Sequence, residues 1–130
     1  MMRDHGTLAF KLEDNILIIE GCGPWNKEAM VFSVDNANVV KKLCTRDKWG
    51  VIVVLKGDPI HTSDAAELLI EYIKYDKQNG RIATALILND STCPVLGKRH
   101  IAELYDKAGE DYKFFNNIFD AKVWMLTLLV

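Results

Sequence analysis

The chain has 130 residues, of which 49% are hydrophobic and 26% are charged, and its formal net charge is −2. Domains are typically ~100–150 residues long, so this length fits one domain with one hydrophobic core. The composition excludes a disordered chain. The small negative charge argues against a dedicated nucleic-acid binder, which carries a surplus of basic residues on one face. We therefore expect a single domain over residues 1–130 with no nucleic-acid partner.

The apolar runs and the cysteines bear on where the protein works. The longest runs, Val51–Leu55 and Met125–Val130, are far shorter than the ~20 residues that a membrane helix needs, and no secretory signal is visible. Cys22, Cys44 and Cys93 form no Cys-x-x-Cys pair, so neither a zinc site nor a disulfide framework is predicted. We expect buried, reduced cysteines, a cytoplasmic location, no stable membrane insertion and no cofactor.

The first part of the chain predicts a β-hairpin followed by a helix. Apolar runs on both sides of Asp14-Asn15 predict strands at about 7–12 and 15–21. Asn26 is the expected N-cap of a helix whose apolar positions recur from Ala29 to Cys44.

A strand–helix–strand unit follows the hairpin. The β-branched run Val51–Leu55 is typical of a central parallel strand that is covered on both faces. Thr62 or Ser63 caps the next helix, which ends near Gly80, and an apolar run to Leu88 predicts another strand. Such a unit requires parallel pairing and a right-handed crossover.

The last third of the chain predicts a helix over about 94–107, a short edge strand within 112–119 and a final helix capped by Asp120. The predicted fold class is therefore α/β, with a mixed, mostly parallel sheet that opens with a β-hairpin and is flanked by about four helices.

A ligand site is expected at one edge of this sheet. Ligands of open α/β sheets bind beyond the carboxyl ends of the parallel strands. Three loops at that edge contain polar residues beside glycine or proline. The candidate ligand-binding residues in and near these loops are Trp25, Asn26, Asp58, Ile60, His61, Ser63, Asn89 and Val95.

Several of these residues also have a purely structural interpretation. Trp25 is either a stacking or gating aromatic residue or a cover for the core. His61 is either a base or pH switch or a solvated loop residue. Asp58 either handles a proton or a cation or terminates a turn. Ser63, like Thr62, is first of all a helix cap.

Catalysis and metal binding are not expected. Asp58, His61 and Ser63 lie close in sequence, but the members of a nucleophilic triad usually come from separate elements. No Gly-x-Ser-x-Gly elbow or phosphate loop is present. The histidines His5, His61 and His100 are isolated from one another in the sequence, which argues against a metal site. An unclassified hydrolase that uses His61 with Ser63 or Asp58 remains an alternative.

Element order gives a family resemblance. Val51–Leu55 runs into His61-Thr62-Ser63-Asp64, and the helix Ala65–Gln78 then leads to the strand Ile82–Leu88. This order resembles the STAS domain of anti-sigma-factor antagonists and sulfate-transporter tails, in which a buried strand runs into an Asp-Ser-Ser-Gly type loop. With its opening hairpin and Phe119-Asp120-Ala121 before the last helix, the chain resembles the SpoIIAA-like group of small bacterial proteins more specifically.

The resemblance implies two modes of action. Ser63 falls where antagonists carry a phosphorylated serine, with His61 and Asp64 in place of the motif's acidic residue and glycine. The SpoIIAA-like group also resembles the lipid-carrying CRAL-TRIO proteins, in which an apolar pocket lies between the sheet and a movable helix. By that likeness the region 93–108 is a lid.

The sequence thus favours a non-catalytic binding or regulatory module that carries a small apolar ligand or docks a protein partner. In the carrier hypothesis, Trp25, Ile60 and Val95 line the pocket mouth, and Asn26 and Ser63 are its polar anchors. The alternatives are a phosphoswitch at Ser63, a self-associating protein that forms a homodimer through its apolar last helix, and the hydrolase.

Overall fold

The computed structural model of the chain describes residues 7–35, 38–43 and 46–130. The strands are β1 (Thr7–Glu13), β2 (Ile16–Cys22), β3 (Trp49–Lys56), β4 (Arg81–Asn89) and β5 (Tyr112–Phe114). The helices are α1 (Lys27–Asp35), α2 (Asn38–Leu43), α3 (Ser63–Gln78), α4 (Pro94–Ala108) and α5 (Ile118–Leu129).

The five strands form one sheet in the order β1-β2-β3-β4-β5. The hairpin β1–β2 is antiparallel, and every later pair is parallel. Asp14 has a φ of 53° in the hairpin turn, a left-handed conformation that aspartate tolerates better than most residues. The predicted fold class, a mixed and mostly parallel α/β sheet that opens with a hairpin, is confirmed.

The sequential strand order determines which face each helix covers. Each parallel crossover advances by one strand in the same direction, and crossovers are right-handed, so α1 to α4 all lie on one face. Core residues of this helix face include Met30, Ile73 and Ile101. The helix α5 covers the opposite face, where Met125 packs against Ile52 and its neighbours. We call these two sides the helix face and the α5 face.

The strand β3 has a buried residue on each face, as predicted for a central strand. Val51, Val53 and Leu55 belong to the core of the helix face, and Ile52 belongs to the core of the α5 face. The strand begins at Trp49, two residues before the predicted start. Gly50 is required there, because a Cβ at this position would clash with the side chain of Met125.

An irregularity near the start of β4 changes the direction of one side chain. Trp49 pairs with Arg81, but the next residue, Gly50, pairs with Ala83, so Ile82 is an extra residue. A bulge of this kind lets two successive residues point to the same face. Ile82 and Ala83 both pack on the α5 face, and the Arg81 side chain lies on the helix face.

The helix expected from Ala29 to Cys44 is described as α1 and α2, and residues 36 and 37 between them, like Cys44, lie outside the described residues. One helix prediction needs correction. The cap of α5 is Asn117, whose Oδ1 accepts from the backbone N–H of Asp120, so α5 begins two residues before the predicted cap.

The other helix signals were read correctly. Asn26 accepts from the backbone N–H of Ala29 and caps α1, and Thr62 caps α3. Gly80 follows α3 with a φ of 104°.

The cysteines differ from the prediction. Cys22 and Cys93 are exposed free thiols rather than buried apolar residues, because both lie at the loop edge of the sheet, outside the two cores. Within residues 7–35, 38–43 and 46–130, no helix combines the length and the apolar character that crossing a membrane requires.

Candidate functional site

A cavity of about 520 Å³ lies on the helix face, between the sheet and the helices. Its floor consists of apolar side chains from the first three strands, including Phe10, Ile19 and Val53. Its walls come from α1 to α4, with Met30, Leu69 and Ile101 among them. Ligand pockets typically measure ~300–1,000 Å³ and have mostly apolar walls with a few polar groups. The cavity therefore has the dimensions and character of a small-molecule site.

The end of the cavity nearest the carboxyl ends of the strands is formed by two loops that are joined by backbone hydrogen bonds. The Trp25 N–H donates to Ile60 O at 2.8 Å, and the Thr62 N–H donates to Trp25 O at 3.0 Å. The Trp25 indole donates to the Thr7 carbonyl at 3.0 Å, and its ring packs against the His61 ring at a tilt of 30°, with the ring centroids 4.9 Å apart. Both side chains line the cavity, so this end is preformed.

His61 contacts a second histidine, which corrects the prediction that the histidines are isolated. The Nδ1 of His61 lies 3.2 Å from the Nε2 of His100, and the two rings stack at 5.3 Å. The parallel pairing of β3 and β4 places α4, which follows β4, beside the β3–α3 loop, and this brings together residues 39 positions apart. His5 lies outside the described residues.

The histidine pair is uncharged at neutral pH. Burial, and then the proximity of His100, lower the pKa of His61 to about 3. Burial also lowers the pKa of His100, although the Glu103 carboxylate opposes that shift. A neutral imidazole with one bare nitrogen is a hydrogen-bond acceptor at this end of the cavity.

Asp58 connects two loops of the sheet edge. Its carboxylate accepts from the backbone N–H of Thr92 at 2.8 Å, from the Thr92 hydroxyl and from the Ser91 hydroxyl at 3.1 Å. The Thr92 bonds, from its backbone first and then from its hydroxyl, hold the pKa of Asp58 below its ordinary value. Asp58 is thus a loop-bridging residue beside the cavity and not part of its wall.

The opposite end of the cavity is polar and was missed by sequence analysis. Arg81 donates from Nε to Glu110 at 2.8 Å, from one terminal nitrogen to Asp76 at 3.1 Å, and from the other to Thr84 at 2.9 Å. Lys77 donates to the second Glu110 oxygen at 3.0 Å. Asp76 and Arg81 line the cavity. The Glu110 side chain is fully buried behind them.

The two acids of this cluster respond differently to their surroundings. Burial alone would raise the pKa of Glu110, but the Arg81 charge and the hydrogen bonds from Thr84, Lys77 and Arg81 hold it below its ordinary value. Burial raises the pKa of Asp76 because it outweighs the attraction of Arg81. Glu110 is therefore a firmly ionised structural group, and Asp76 is the more readily protonated of the two.

Of the sequence-predicted site residues, Trp25 and His61 line the cavity. The others lie outside its wall. Ile60, in the β3–α3 loop, and Val95, in the first turn of α4, are 50% and 72% exposed. Three other candidate residues have structural positions. Asn26 caps α1, Ser63 begins α3 with an exposed side chain, and Asn89 ends β4.

The site residues that sequence analysis missed left only a weak signal. Arg81 is a lone cation at the start of an otherwise apolar strand, and Asp76 is one polar residue in the amphipathic α3. Glu110 is 29 positions from its partner Arg81, so their pairing could not be predicted without the topology. The region expected to form a lid, 93–108, matches α4, which contributes Ile101 and Tyr105 to the wall.

The described part of the chain contains no group of three or more metal-ligating side chains. A scan against protein-family models, a search of curated proteins and a search of solved structures each returned no match.

Proposed function

We propose that this protein is a non-catalytic binding module that carries a small, mainly apolar ligand in the cavity of the helix face. The observation that carries the proposal is the cavity itself, about 520 Å³ in volume with a mostly apolar wall. This volume is more than three times that of the ~150 Å³ cavity that holds one benzene. Unfilled space of this kind forfeits dispersion contacts, which a matching ligand restores.

The contacts of the polar residues favour binding over catalysis. The Asp58 carboxylate is engaged by Ser91 and Thr92, and the His61 ring is engaged by Trp25 and His100. Ser63 has an exposed side chain at the first residue of α3. A nucleophile needs a base within hydrogen-bond reach and a third group that orients the base. The hydrolase therefore has less support than the carrier.

The order of elements supports the proposed relationship to SpoIIAA-like proteins of STAS type. A hairpin is followed by alternating helices and parallel strands, and α4 lies over the cavity. A Cβ at Gly97 would lie only 3.0 Å from the Pro59 ring, so glycine allows the start of α4 to pack closely on the β3–α3 loop. Movement of α4 as a lid remains a prediction.

An uncharged fluorescent probe tests the carrier proposal. N-phenyl-1-naphthylamine brightens in apolar surroundings, and we expect it to bind the protein with saturation. Val53→Phe places a larger side chain in the cavity floor and should abolish the signal. Val123→Phe makes the same change at a half-exposed position of α5 and should leave the signal intact. Equal signals from the two variants, or no saturable signal at all, would contradict the proposal.

A second candidate function is self-association through α5. Phe119, Val123 and Leu126 are 71%, 49% and 51% exposed, and their i, i+4, i+7 spacing places them on one helical stripe. An apolar stripe on a surface helix is typical of a helix–helix interface. Light scattering should then give a dimer mass that reverts to the monomer in Leu126→Lys. A monomer at high protein concentration would remove this candidate.

A further inference from the structure

The polar groups of the cavity restrict the ligand more closely than its apolar wall does. The imidazole of His61 lies at one end and the charged side chains of Asp76 and Arg81 lie at the other, and three tyrosines also line the wall: Tyr72, Tyr75 and Tyr105. The α3 residues that line the wall run from Leu69 to Asp76, which spans about 10 Å at 1.5 Å per residue. A ligand that fills this cavity therefore has an apolar body and a polar group that reaches one of the ends.

The Asp76–Arg81 end is balanced in charge. Two cations, Arg81 and Lys77, are paired with two carboxylates, Asp76 and Glu110, at distances of 2.8 to 3.1 Å. A ligand carboxylate would add an unpaired negative charge beside Asp76, and a ligand ammonium would add an unpaired positive charge beside Arg81. An unpaired charge in buried surroundings is strongly unfavourable. The cluster therefore favours an uncharged group.

The same end requires a group that donates a hydrogen bond. Asp76 uses Oδ2 for Arg81, and Oδ1 has no bond to a described residue. The side chain of Asp76 retains 13% of its exposure, so this oxygen is accessible from the cavity. Arg81 has five N–H groups, of which three bond Glu110, Asp76 and Thr84, and its side chain also hydrogen-bonds Tyr105. The pair thus offers an accepting carboxylate beside a donating guanidinium.

The far end also offers an acceptor. The backbone N–H of His61 points at the Nε2 of His100 at 3.3 Å, so that nitrogen is bare and accepts. The Nδ1 of His61, 3.2 Å from the same nitrogen, must then carry the proton. This leaves the Nε2 of His61 with a lone pair. Ethers, esters and ketones, which only accept, can bond neither the Asp76 carboxylate nor the His61 nitrogen.

We infer that the cavity takes an uncharged alcohol, whose hydrocarbon body lies along the apolar floor and whose hydroxyl donates to Asp76 and accepts from Arg81. The inference rests on the proposed carrier function and specifies its ligand class. A hydroxyl group is both donor and acceptor and has no charge, so it satisfies both residues without unbalancing the cluster.

Three probes with the same hydrocarbon tail test the inference. Isothermal titration calorimetry at pH 7 with 1-decanol, decanoate and decylamine compares an alcohol, an anion and a cation. We expect 1-decanol to bind at least about tenfold more tightly than either ion, the equivalent of one hydrogen bond to a charged group.

The variant Asp76→Asn should change which of the three probes binds most tightly, an effect that unfolding of the variant would not produce. Removal of one negative charge leaves the cluster with an excess positive charge, so the preference should shift toward decanoate by about tenfold or more. Asp106→Asn makes the same change at an exposed residue of α4 that bonds Tyr112, and it should leave the preference unchanged.

The outcomes separate the inference from the proposal on which it rests. If decanoate or decylamine binds the wild type as tightly as 1-decanol, or if Asp76→Asn leaves the preference unchanged, the alcohol inference fails and the carrier proposal stands. If no probe binds, including N-phenyl-1-naphthylamine, both fail.

Discussion

At the scale of single residues, the most constrained group is Glu110, whose carboxylate is buried among Lys77, Arg81 and Thr84. Removing one partner of a buried ion pair leaves the other charge uncompensated, which costs ~3–5 kcal/mol. We expect Glu110→Gln to lower the free energy of unfolding by about 3 kcal/mol in urea titrations. Glu71→Gln, at an exposed position of α3, should change it by less than ~0.5 kcal/mol. Equal effects would contradict this assignment.

The histidine pair makes stability depend on pH. In the folded protein the pKa of His61 is about 3, and in the unfolded chain it is ~6.5. Between these values the unfolded chain binds one more proton, so the free energy of unfolding rises with pH and is lost as the pH falls below ~6.5. The slope is at most about 1.4 kcal/mol per pH unit for one such group. We expect urea unfolding at pH 7.0 and 5.5 to show this loss.

Two variants assign that pH dependence. His61→Asn should flatten it, because the side chain with the large shift is gone. Lys27→Gln, which changes an exposed charge near the same loop, should keep it. Glu110, whose pKa is lowered, contributes its own loss only at more acidic pH, so it does not obscure the histidine window. An unchanged slope in His61→Asn would refute the prediction.

Sequence reasoning found the cavity residues that lie in loops with glycine or proline. It missed the cavity residues that become buried only through tertiary contacts. Trp25 and His61 were found because the loops after strands are recognisable from their composition. Asp76 and Arg81 were missed because a polar residue in a helix or at a strand end normally faces solvent. Only the tertiary contact with Glu110, far along the chain, reveals their burial.

At the scale of elements, two residues of β3 on the same face have different surroundings, one beside the cavity and one in the packed core. Val53 and Val51 face the same side, but only Val53 lines the cavity, and Val51 is fully buried. Val53→Phe should therefore be accommodated with a change in unfolding free energy below ~1 kcal/mol, whereas Val51→Phe should overpack the core at a cost of ~1–3 kcal/mol. Chemical denaturation measures both. Equal destabilisation would mean that the cavity is not available space.

Most elements were predictable from the sequence because the hydrophobic periodicity and the cap residues indicate the same boundaries for helices and strands. The hairpin, α3, β4 and α4 have their observed places within one or two residues. The exception has a local cause. Asn117 precedes the more conspicuous Asp120 in a mutual cap of α5.

At the scale of the whole molecule, the sequential strand order separates the cavity from α5. The sheet has no reversal of strand order, so it lacks the crevice that forms where the order reverses in doubly wound sheets. The sheet edge at which a site was expected therefore forms only one end of the cavity, where Trp25 and His61 lie. The cavity instead lies under the helices on one face, and α5 packs on β3 and β4 from the other.

This separation predicts which helices a ligand in the cavity would protect from hydrogen exchange. Saturation with 1-decanol should slow amide hydrogen exchange in α3 and α4, which line the cavity, and leave exchange in α5 nearly unchanged. Hydrogen-exchange mass spectrometry with and without the alcohol measures the difference. Uniform protection of all three helices would show that the ligand stabilises the fold globally and not through the cavity wall.

The extra residue Ile82 has a consequence for how such a protein changes over evolution. Arg81 is the one residue of β4 that precedes Ile82. Because Ile82 is an extra residue in the pairing with β3, the Arg81 side chain points to the helix face, where the cavity lies. Loss of that one codon would turn the guanidinium to the other side of the sheet and leave the carboxylates of Asp76 and Glu110 without the cation that they share. In this architecture a single insertion or deletion can change the charge of one end of the cavity, which is a shorter route to that change than stepwise substitution of the residues that line it.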